Sequence, residues 1–209
     1  GTLVDSAEDL RRACNRLLAE SGRRSLTGEE IRRFIGDGAA KLVERAFLAT
    51  GGWPEGSQPD PLLQRFLVLY GADPVSATRC FPGVPETLRH LHAAGLRLGV
   101  CTNKPVGPAH AVLAGLGLDS LFDVVIGGDS VATRKPSPEP LLAVLERLGV
   151  APARAVMVGD NEHDAATARA AGLSRVYLMA YGYARLPLAG IDHDGVLERF
   201  DRLPRRLGL

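Results

Sequence analysis

The chain has 209 residues, of which 45% are apolar and 23% charged, and its formal net charge is +1. This length suffices for one sizeable hydrophobic core with a smaller accessory unit. The near balance of charges argues against nucleic-acid and membrane partners, and no apolar run approaches the roughly 20 residues of a membrane span. We expect a globular cytoplasmic protein in which Cys14, Cys80 and Cys101 stay reduced, because they show no metal-ligand spacing.

The first third of the chain predicts helices. Apolar residues recur at helical spacing after Asp9, and residues 27–30 have the form of a capping box before the run IRRFI. The Pro- and Gly-rich stretch GGWPEGSQPDP, residues 51–61, predicts a loop between two helices. We therefore expect residues 7–75 to form a small all-helical unit.

From about Leu96 onward, short apolar runs alternate with amphipathic stretches. In chain order these are LRLGVCTN, HAVLAGLGL, FDVVIGGD, PEPLLAVLERLG, RAVMVGD, DAATARAAG and RVYLMAY. Such alternation is typical of βαβ units, in which a parallel sheet carries helices on both faces. The sequence therefore predicts a Rossmann-like three-layer α/β core made of residues 1–6 and 76–209.

Two carboxylates, Asp160 and Asp164, follow the predicted strand at residues 156–158. Gly159 would make the turn and a helix would begin near Glu162, so both carboxylates would lie on one side of the carboxyl edge of the sheet. Paired carboxylates there suit a hard cation such as Mg²⁺. A structural interpretation is equally good: Asp160 would cap the helix and Asp164 would lie in its first turn.

A second candidate site follows another apolar run. Thr102, Asn103 and Lys104 supply a hydroxyl, an amide and a cation at the end of a predicted strand. The hydroxyl and the following backbone N–H groups suit a phosphate at the start of the next helix. The alternative is a purely structural Thr at the end of a strand.

The third candidate site is the loop RKPSPEP, residues 134–140. Pro138 and Pro140 suit the start of a helix, and Lys135 would hold a compact positive charge just before it. The alternative is a solvated loop cation. Against that alternative, the chain has 22 Arg but only three Lys, and two of the lysines, Lys104 and Lys135, fall in strand-end loops.

The three sites together supply what phosphoryl transfer needs, except for a nucleophile. In order, GTLVDS (residues 1–6), a helical insert, CTN, RKPSPEP and GDNEHD resemble the four motifs of the haloacid dehalogenase superfamily. The likeness covers essentially the whole chain. The segment IGDGAAKLVERA, the run VIGGD and the run YGY resemble those of its bacterial phosphoglycolate phosphatases.

The resemblance implies Mg²⁺-dependent hydrolysis of a small phosphate monoester, first of all 2-phosphoglycolate, through an aspartyl-phosphate. The expected partner is a small phosphorylated metabolite, bound by a monomer or homodimer. Three alternatives stay open: a sugar-phosphate phosphatase, a phosphomutase of the β-phosphoglucomutase type, and a non-catalytic protein that only binds phosphate or metal.

The resemblance also implies a role for each candidate residue. Thr102 and Asn103 would bind the phosphoryl group, and Lys135 would steady the nucleophile and the phosphate. Asp160 would ligate the metal ion, and Asp164 would support it.

The helical insert corresponds to the family's cap, which closes over the core and selects the substrate. The loop around Gly38 would offer backbone N–H groups, and Arg45 or Lys41 a cation, to a small carboxylate. An ordinary helix start with solvated charges is the alternative. Asp37 stands where the family is expected to have Asn, and its carboxylate would repel an anionic substrate. His163 is interpreted as an exposed residue without a role in the site.

The first motif of the family is D-x-D-G-T, of which Gly1 and Thr2 correspond to the last two residues. By resemblance, the nucleophilic Asp and the acid/base Asp would stand three residues and one residue before Gly1. Asp5 is not a substitute, because it lies beyond the turn. The strand that carries this motif lies in the middle of the family's sheet. We therefore expect residues 1–209 alone to be inactive as a phosphatase.

Overall fold

A computed structural model describes residues 1–209. Four helices fill the first third of the chain: α1 (Ala7–Glu20), α2 (Gly28–Phe34), α3 (Ala39–Ala49) and α4 (Pro59–Gly71). Helix α1 forms because its apolar residues recur on one face, where Leu10, Cys14 and Leu17 are buried. The predicted helical character of this segment is confirmed.

Local sequence sets the starts of two of these helices. The hydroxyl of Thr27 accepts the Glu30 N–H at 3.2 Å, and the Glu30 carboxylate accepts the Thr27 N–H at 2.8 Å. This is the predicted capping box of α2. The predicted loop at residues 51–61 ends earlier than expected, because Pro59 and Pro61 belong to the first turn of α4, which tolerates proline.

The helical segment has its own hydrophobic cluster. It contains 16 buried residues, among them Leu18, Phe47 and Phe66, and Tyr183 is its one member from outside residues 7–75. A separate cluster is what a cap subdomain needs in order to hold its shape. The division of the chain at residues 7 and 75 stays a prediction that this packing supports.

Strands and helices alternate in the rest of the chain. The strands are β1 (Val4–Asp5), β2 (Arg79–Cys80), β3 (Gly99–Cys101), β4 (Val124–Ile126), β5 (Val156–Gly159), β6 (Arg175–Met179) and β7 (Gly195–Leu197). The helices are α5 (Val84–Ala93), α6 (Val106–Gly115), α7 (Glu139–Leu148), α8 (Glu162–Ala170) and α9 (Leu203–Leu207). Every apolar run singled out after residue 95 forms the predicted strand or helix. No helix of the molecule combines the length and apolar character that crossing a bilayer requires.

The strands pair as an α/β core requires. Strand β3 pairs in parallel with β4, and β5, β6 and β7 form a parallel ladder in that order. Strand β1 pairs with β2 in antiparallel orientation and leads into the helical segment. Parallel strands joined by helices confirm the predicted fold class, an α/β Rossmann-like core with a helical cap.

Strands β3 and β5 are not hydrogen bonded to each other, and a cavity of about 980 Å³ lies along them. Its lining includes Val100 and Cys101 of β3 and Val156 and Val158 of β5. The cavity continues past the carboxyl ends of these strands to the inner sides of α3 and α4. It therefore joins the core to the helical segment at the edge where the candidate site was predicted.

Candidate active site

Asp160 lies just after β5 and is only 5% exposed. The Thr2 hydroxyl donates to its Oδ1 at 2.7 Å, and the Tyr183 N–H donates to its Oδ2 at 2.9 Å. The nitrogen of Gly1 lies 3.8 Å from Oδ1. Gly182 allows this packing, because a Cβ there would overlap the side chain of Asp160. Distant parts of the chain thus meet at this carboxylate.

The surroundings of Asp160 keep it charged. Burial alone raises its pKa, but the hydrogen bonds from Tyr183 and Thr2 and the charge of Lys135 lower it. Asp160 is therefore a carboxylate at neutral pH, the form that binds a cation.

Asp164 lies in the first turn of α8. Its Oδ2 accepts the N–H groups of Asp160 and Asn161 at 2.8 and 3.2 Å, and its Oδ1 accepts from Lys135 Nζ at 2.6 Å. Asn161 is the N-cap, and Asp164 completes a capping box with it. The structural interpretation of the paired carboxylates thus holds for Asp164. It is wrong for Asp160, because Asn161 caps the helix.

Lys135 is not a solvated loop cation. Its side chain is 11% exposed and pairs with the Asp164 carboxylate, which is 3% exposed. Burial lowers the pKa of Lys135, but the charge of Asp164 and its hydrogen bond raise it, and the net pKa lies above the ordinary value. The ammonium therefore stays protonated beside the carboxyl edge of the sheet.

Asn103 links three parts of the site. Its side-chain N–H₂ donates to the carbonyls of Gly36 and Lys135, each at 3.0 Å, and its Oδ1 accepts the Lys135 N–H at 3.0 Å. The side chain is buried. Since both of its amide protons are used, a contact between this residue and a phosphoryl group would come from its backbone.

Thr102 keeps a free donor. Its N–H donates to the carbonyl of Ile126 at 3.0 Å, and its hydroxyl oxygen accepts the Lys104 N–H at 3.1 Å. The hydroxyl proton has no acceptor within the chain. Thr102 therefore has a structural role and can also donate to a bound oxygen.

Lys104 extends from the same loop toward the helical segment. Its Nζ donates to the Tyr70 hydroxyl at 2.7 Å and lies 4.3 Å from the centroid of that ring. No carboxylate lies within 4.0 Å of it. Burial lowers the pKa of Lys104 to about 8, although the charge of Asp9 opposes the shift.

The loop before α3 brings the helical segment against the core. Gly38 has φ +88°, and a Cβ there would come 3.1 Å from the carbonyl oxygen of Asn103, so glycine allows the close approach. Arg45 Nη1 donates to the carbonyl of Phe34 at 2.9 Å and pairs with Asp37 Oδ2 at 2.5 Å. Gly38 thus lies where the sequence places it, whereas the charge of Arg45 is already matched by Asp37.

Asp37 bridges the helical segment and the core. Besides Arg45, it pairs with Arg185 and with His163 Nε2, each at 2.5 Å, and Arg185 also pairs with Glu162 at 2.9 Å. Burial raises the pKa of Asp37, but these hydrogen bonds lower it far below the ordinary value. The carboxylate is turned toward basic partners of its own chain. His163 is 17% exposed, so its interpretation as an exposed residue is wrong.

The partners of Thr2 and Asp37 could not be predicted from the sequence. Thr2 meets Asp160 across 158 positions of the chain, and Asp37 meets Arg185 across 148. No short-range pattern links such positions. The usable signal was the run YGY at residues 181–183, in which a glycine between two aromatic residues indicates a close backbone approach.

The donors at the edge of β5 can be tested against a divalent cation. No group of three or more His, Cys, Asp or Glu is arranged to hold a metal ion by itself. Mg²⁺ does not need such a group, because it binds through about one or two carboxylates and completes its shell with water and phosphate oxygens. Asp160 fits as the carboxylate ligand. Asp164 fits as its support, because both of its oxygens already accept hydrogen bonds.

The chain is similar to known proteins over most of its length. Residues 1–178 match the family model of the haloacid dehalogenase-like hydrolases. The chain is 45% identical over 204 residues to a phosphoglycolate phosphatase of Cereibacter sphaeroides. The alignment covers 98% of this chain and 92% of the relative. It is 46% identical over 213 residues to the phosphoglycolate phosphatase of Rhodospirillum rubrum. That alignment covers 100% of this chain and 88% of the relative.

Solved structures show the same fold. A predicted phosphoglycolate phosphatase from Haemophilus somnus 129pt superposes with a TM-score of 0.93 at 30% identity, covering 99% of this chain and 94% of that one. CbbY from Rhodobacter sphaeroides, solved in complex with phosphate, superposes with a TM-score of 0.80 at 29% identity, covering 97% and 92%. The motifs, the fold and these relatives agree, and the chain belongs to the haloacid dehalogenase-like hydrolases, where it is similar to the phosphoglycolate phosphatases.

Proposed function

We propose that this protein is a Mg²⁺-dependent phosphatase of small phosphate monoesters, with 2-phosphoglycolate as the first candidate substrate. The observation that carries the proposal is the edge shared by β3 and β5, where Thr102, Lys135 and Asp160 line one cavity. A donor hydroxyl, a fixed cation and a buried carboxylate are what a transferred phosphoryl group requires. The names of the relatives at 45% and 46% identity support the substrate.

Each of these side chains has a defined task in the proposal. The Thr102 hydroxyl and the backbone N–H groups after it hold the phosphoryl oxygens. Lys135, held in place by Asp164, sets its charge beside the same oxygens. Asp160 would ligate Mg²⁺, and Asp164 would support it through water. Mg²⁺ held there would supply positive charge to offset that of the phosphoryl oxygens.

The proposed reaction proceeds through an aspartyl-phosphate. An aspartate carboxylate attacks phosphorus, and the bond from phosphorus to the alkoxide oxygen breaks while a second aspartic acid protonates that oxygen. The second aspartate then takes a proton from the water that releases phosphate from the first. By resemblance, both aspartates precede Gly1. The Gly1 nitrogen lies 3.8 Å from Asp160 Oδ1, so residues preceding it would stand beside the proposed metal ligand.

We place the strand that carries these aspartates between β3 and β5. Those strands do not pair with each other, and along them the cavity is lined by apolar side chains such as Val100 and Val158. A parallel strand could pair with both of their edges, since neighbouring strands lie about 4.8 Å apart. Residues 1–209 alone would then bind phosphate or metal without turnover.

The test compares residues 1–209 with a protein that also carries the natural upstream segment. Release of phosphate from 2-phosphoglycolate is measured with and without Mg²⁺. We expect Mg²⁺-dependent turnover by the longer protein and none by residues 1–209. Asp160→Asn in the longer protein should raise the Mg²⁺ concentration that turnover requires. Turnover by residues 1–209 would refute the upstream nucleophile. A longer protein inactive on every phosphate monoester tried would refute the phosphatase.

A sugar-phosphate phosphatase is the second candidate. It is favoured by the likeness to CbbY from Rhodobacter sphaeroides, also solved in complex with xylulose-(1,5)bisphosphate, at 28% identity and a TM-score of 0.81. Turnover of that bisphosphate and of 2-phosphoglycolate, measured side by side, separates the two candidates. A phosphomutase would be recognised by an isomeric sugar phosphate as product in place of free phosphate.

A further inference from the structure

Basic side chains around the site differ in whether the chain itself provides them with an acid. Three are paired: Lys135 with Asp164 at 2.6 Å, Arg45 with Asp37 at 2.5 Å and Lys41 with Glu44 at 2.6 Å. Lys104 is the exception, with a tyrosine hydroxyl as its hydrogen-bond acceptor. Its charge is therefore the one among these four that the protein leaves unmatched.

The acid whose charge acts on Lys104, Asp9, is already hydrogen bonded elsewhere. Asp9 influences the charge of Lys104, but its carboxylate accepts hydrogen bonds from Ser76, Ala77 and Thr78 at 2.7 to 3.2 Å. A desolvated ammonium without an anionic partner is costly, and burial accordingly lowers the pKa of Lys104 to about 8. An anion that entered the cavity would supply the missing partner.

Lys104 is close to the phosphate-binding groups of the proposed site. It follows Thr102 and Asn103 in one loop and lines the same cavity. Tyr70, at the end of α4, bounds Lys104 on the side of the helical segment.

We propose that Lys104, oriented by the Tyr70 hydroxyl, is the subsite for a second anion: its ammonium binds a carboxylate of the substrate while the phosphate lies at Thr102 and Lys135. The inference rests on the proposed phosphatase function and names its substrate class, short phosphate monoesters with a carboxylate near the ester. It also replaces Arg45 and Lys41 as the candidate carboxylate-binding cations, because both are already paired.

The experiment measures binding, so that it does not depend on turnover. The protein that also carries the natural upstream segment is titrated calorimetrically, in the presence of Mg²⁺, with 3-phosphonopropionate and with propylphosphonate. Propylphosphonate has the same chain length but no carboxylate. We expect the wild type to bind 3-phosphonopropionate at least about tenfold more tightly, the effect of one charge-assisted hydrogen bond. In Lys104→Met the ratio of the two dissociation constants should be close to one, because the variant should weaken the binding of 3-phosphonopropionate alone.

Further variants keep the result interpretable. Lys104→Gln tests the same charge with a polar side chain, and thermal unfolding checks that both variants fold. Arg33→Met removes an exposed positive charge paired with Glu29 and should keep the wild-type ratio. Lys41→Met tests a competing cation, and its ratio of dissociation constants should also equal that of the wild type.

Two results would overturn the subsite: equal wild-type affinity for the two phosphonates, or a wild-type ratio in either folded Lys104 variant. Phosphate release from 2-phosphoglycolate is scored separately on the same wild-type protein. If the protein releases phosphate but the affinity ratios are not as expected, the phosphatase proposal stands and the Lys104 subsite is refuted. If the affinity ratios are as expected but no phosphate is released, the anion subsite stands and the phosphatase proposal is refuted.

Discussion

Two loops at the carboxyl edge of the sheet each hold a lysine, and the two lysines have opposite surroundings. Lys135, in the loop before α7, pairs with Asp164, and its pKa is raised. Lys104, in the loop after β3, has the Tyr70 hydroxyl as its partner, and its pKa is lowered to about 8. One cation is therefore held by an acid of the chain, whereas the other has no acid of the chain as its partner.

The cause of the difference lies in the neighbouring helices. Helix α8 presents Asp164 to Lys135, because its capping box holds that carboxylate at the helix start. Helix α1 carries Asp9, whose charge acts on Lys104, but the Asp9 carboxylate accepts hydrogen bonds from the turn at residues 76–78. The same residue type therefore has different electrostatic surroundings in each loop.

Breaking the permanent pair should have the largest effect. Lys135→Met leaves the Asp164 carboxylate buried without its cation, which should lower the free energy of unfolding by about 3 to 5 kcal/mol. Urea unfolding measures it. The double variant Lys135→Met/Asp164→Asn leaves no buried charge and should lose less. A loss in the single variant below about 1 kcal/mol would show that the pair is solvated.

The pH dependence of stability should test the surroundings of Lys104. The pKa of Lys104 is about 8 in the folded protein and 10.5 in an unperturbed lysine. Between these values the unfolded chain binds more protons, so the free energy of unfolding should rise with pH by up to about 3 kcal/mol.

Urea unfolding of the wild type and of Lys104→Met, below pH 8 and at pH 10.5, isolates this contribution. The variant should lack the rise. An equal rise in both proteins would mean that Lys104 is not its source, and that its ammonium is solvated in the folded state.

Removing the hydroxyl that faces Lys104 should have a smaller effect. Tyr70→Phe keeps the ring and its stacking on Phe66, at 6.0 Å between centroids, but deletes the acceptor of the Lys104 ammonium. We expect a loss of about 1.5 kcal/mol in the free energy of unfolding. The stability rise caused by Lys104 should also begin at a lower pH.

Tyr183→Phe is the matched control for that variant. It deletes a hydroxyl that donates to Asp5 at 2.6 Å, at a distance from Lys104 in the chain. A similar loss of stability is expected, but the stability rise caused by Lys104 should begin at the same pH as in the wild type. If Tyr70→Phe also left this starting pH unchanged, the hydrogen bond from Lys104 to Tyr70 would make no measurable contribution to the pKa of Lys104.

The smallest effect is expected at the ion pairs between the helical segment and the core. Asp37→Asn weakens pairs with Arg45 and Arg185, whose side chains are each 30% exposed. We expect about 1 kcal/mol or less in the free energy of unfolding at low salt and still less at high salt. The loss in Lys135→Met should be insensitive to salt. Equal salt dependence in the two variants would remove the distinction between a buried and a screened pair.

Local patterns were sufficient for the elements and for the three loops of the site. Asp160, Lys135 and Thr102 each follow an apolar run or precede a helix start, and strand-end positions in parallel sheets converge at one edge. Helix ends were less certain, as Pro59 shows by belonging to α4. His163 was misjudged because its partner, Asp37, lies 126 positions away.

The sequence by itself determined the α/β order, the helical segment and the convergence of Thr102, Lys135 and Asp160, because periodicity and short motifs act over a few residues. The tertiary structure alone decided which charges have partners. Lys104 is hydrogen bonded to Tyr70, 34 positions away in the sequence. Asp9 accepts hydrogen bonds from the turn at residues 76–78, which lies 67 to 69 positions away. Pairing of charges depends on distances in space, so only the folded chain distinguishes Lys135 from Lys104.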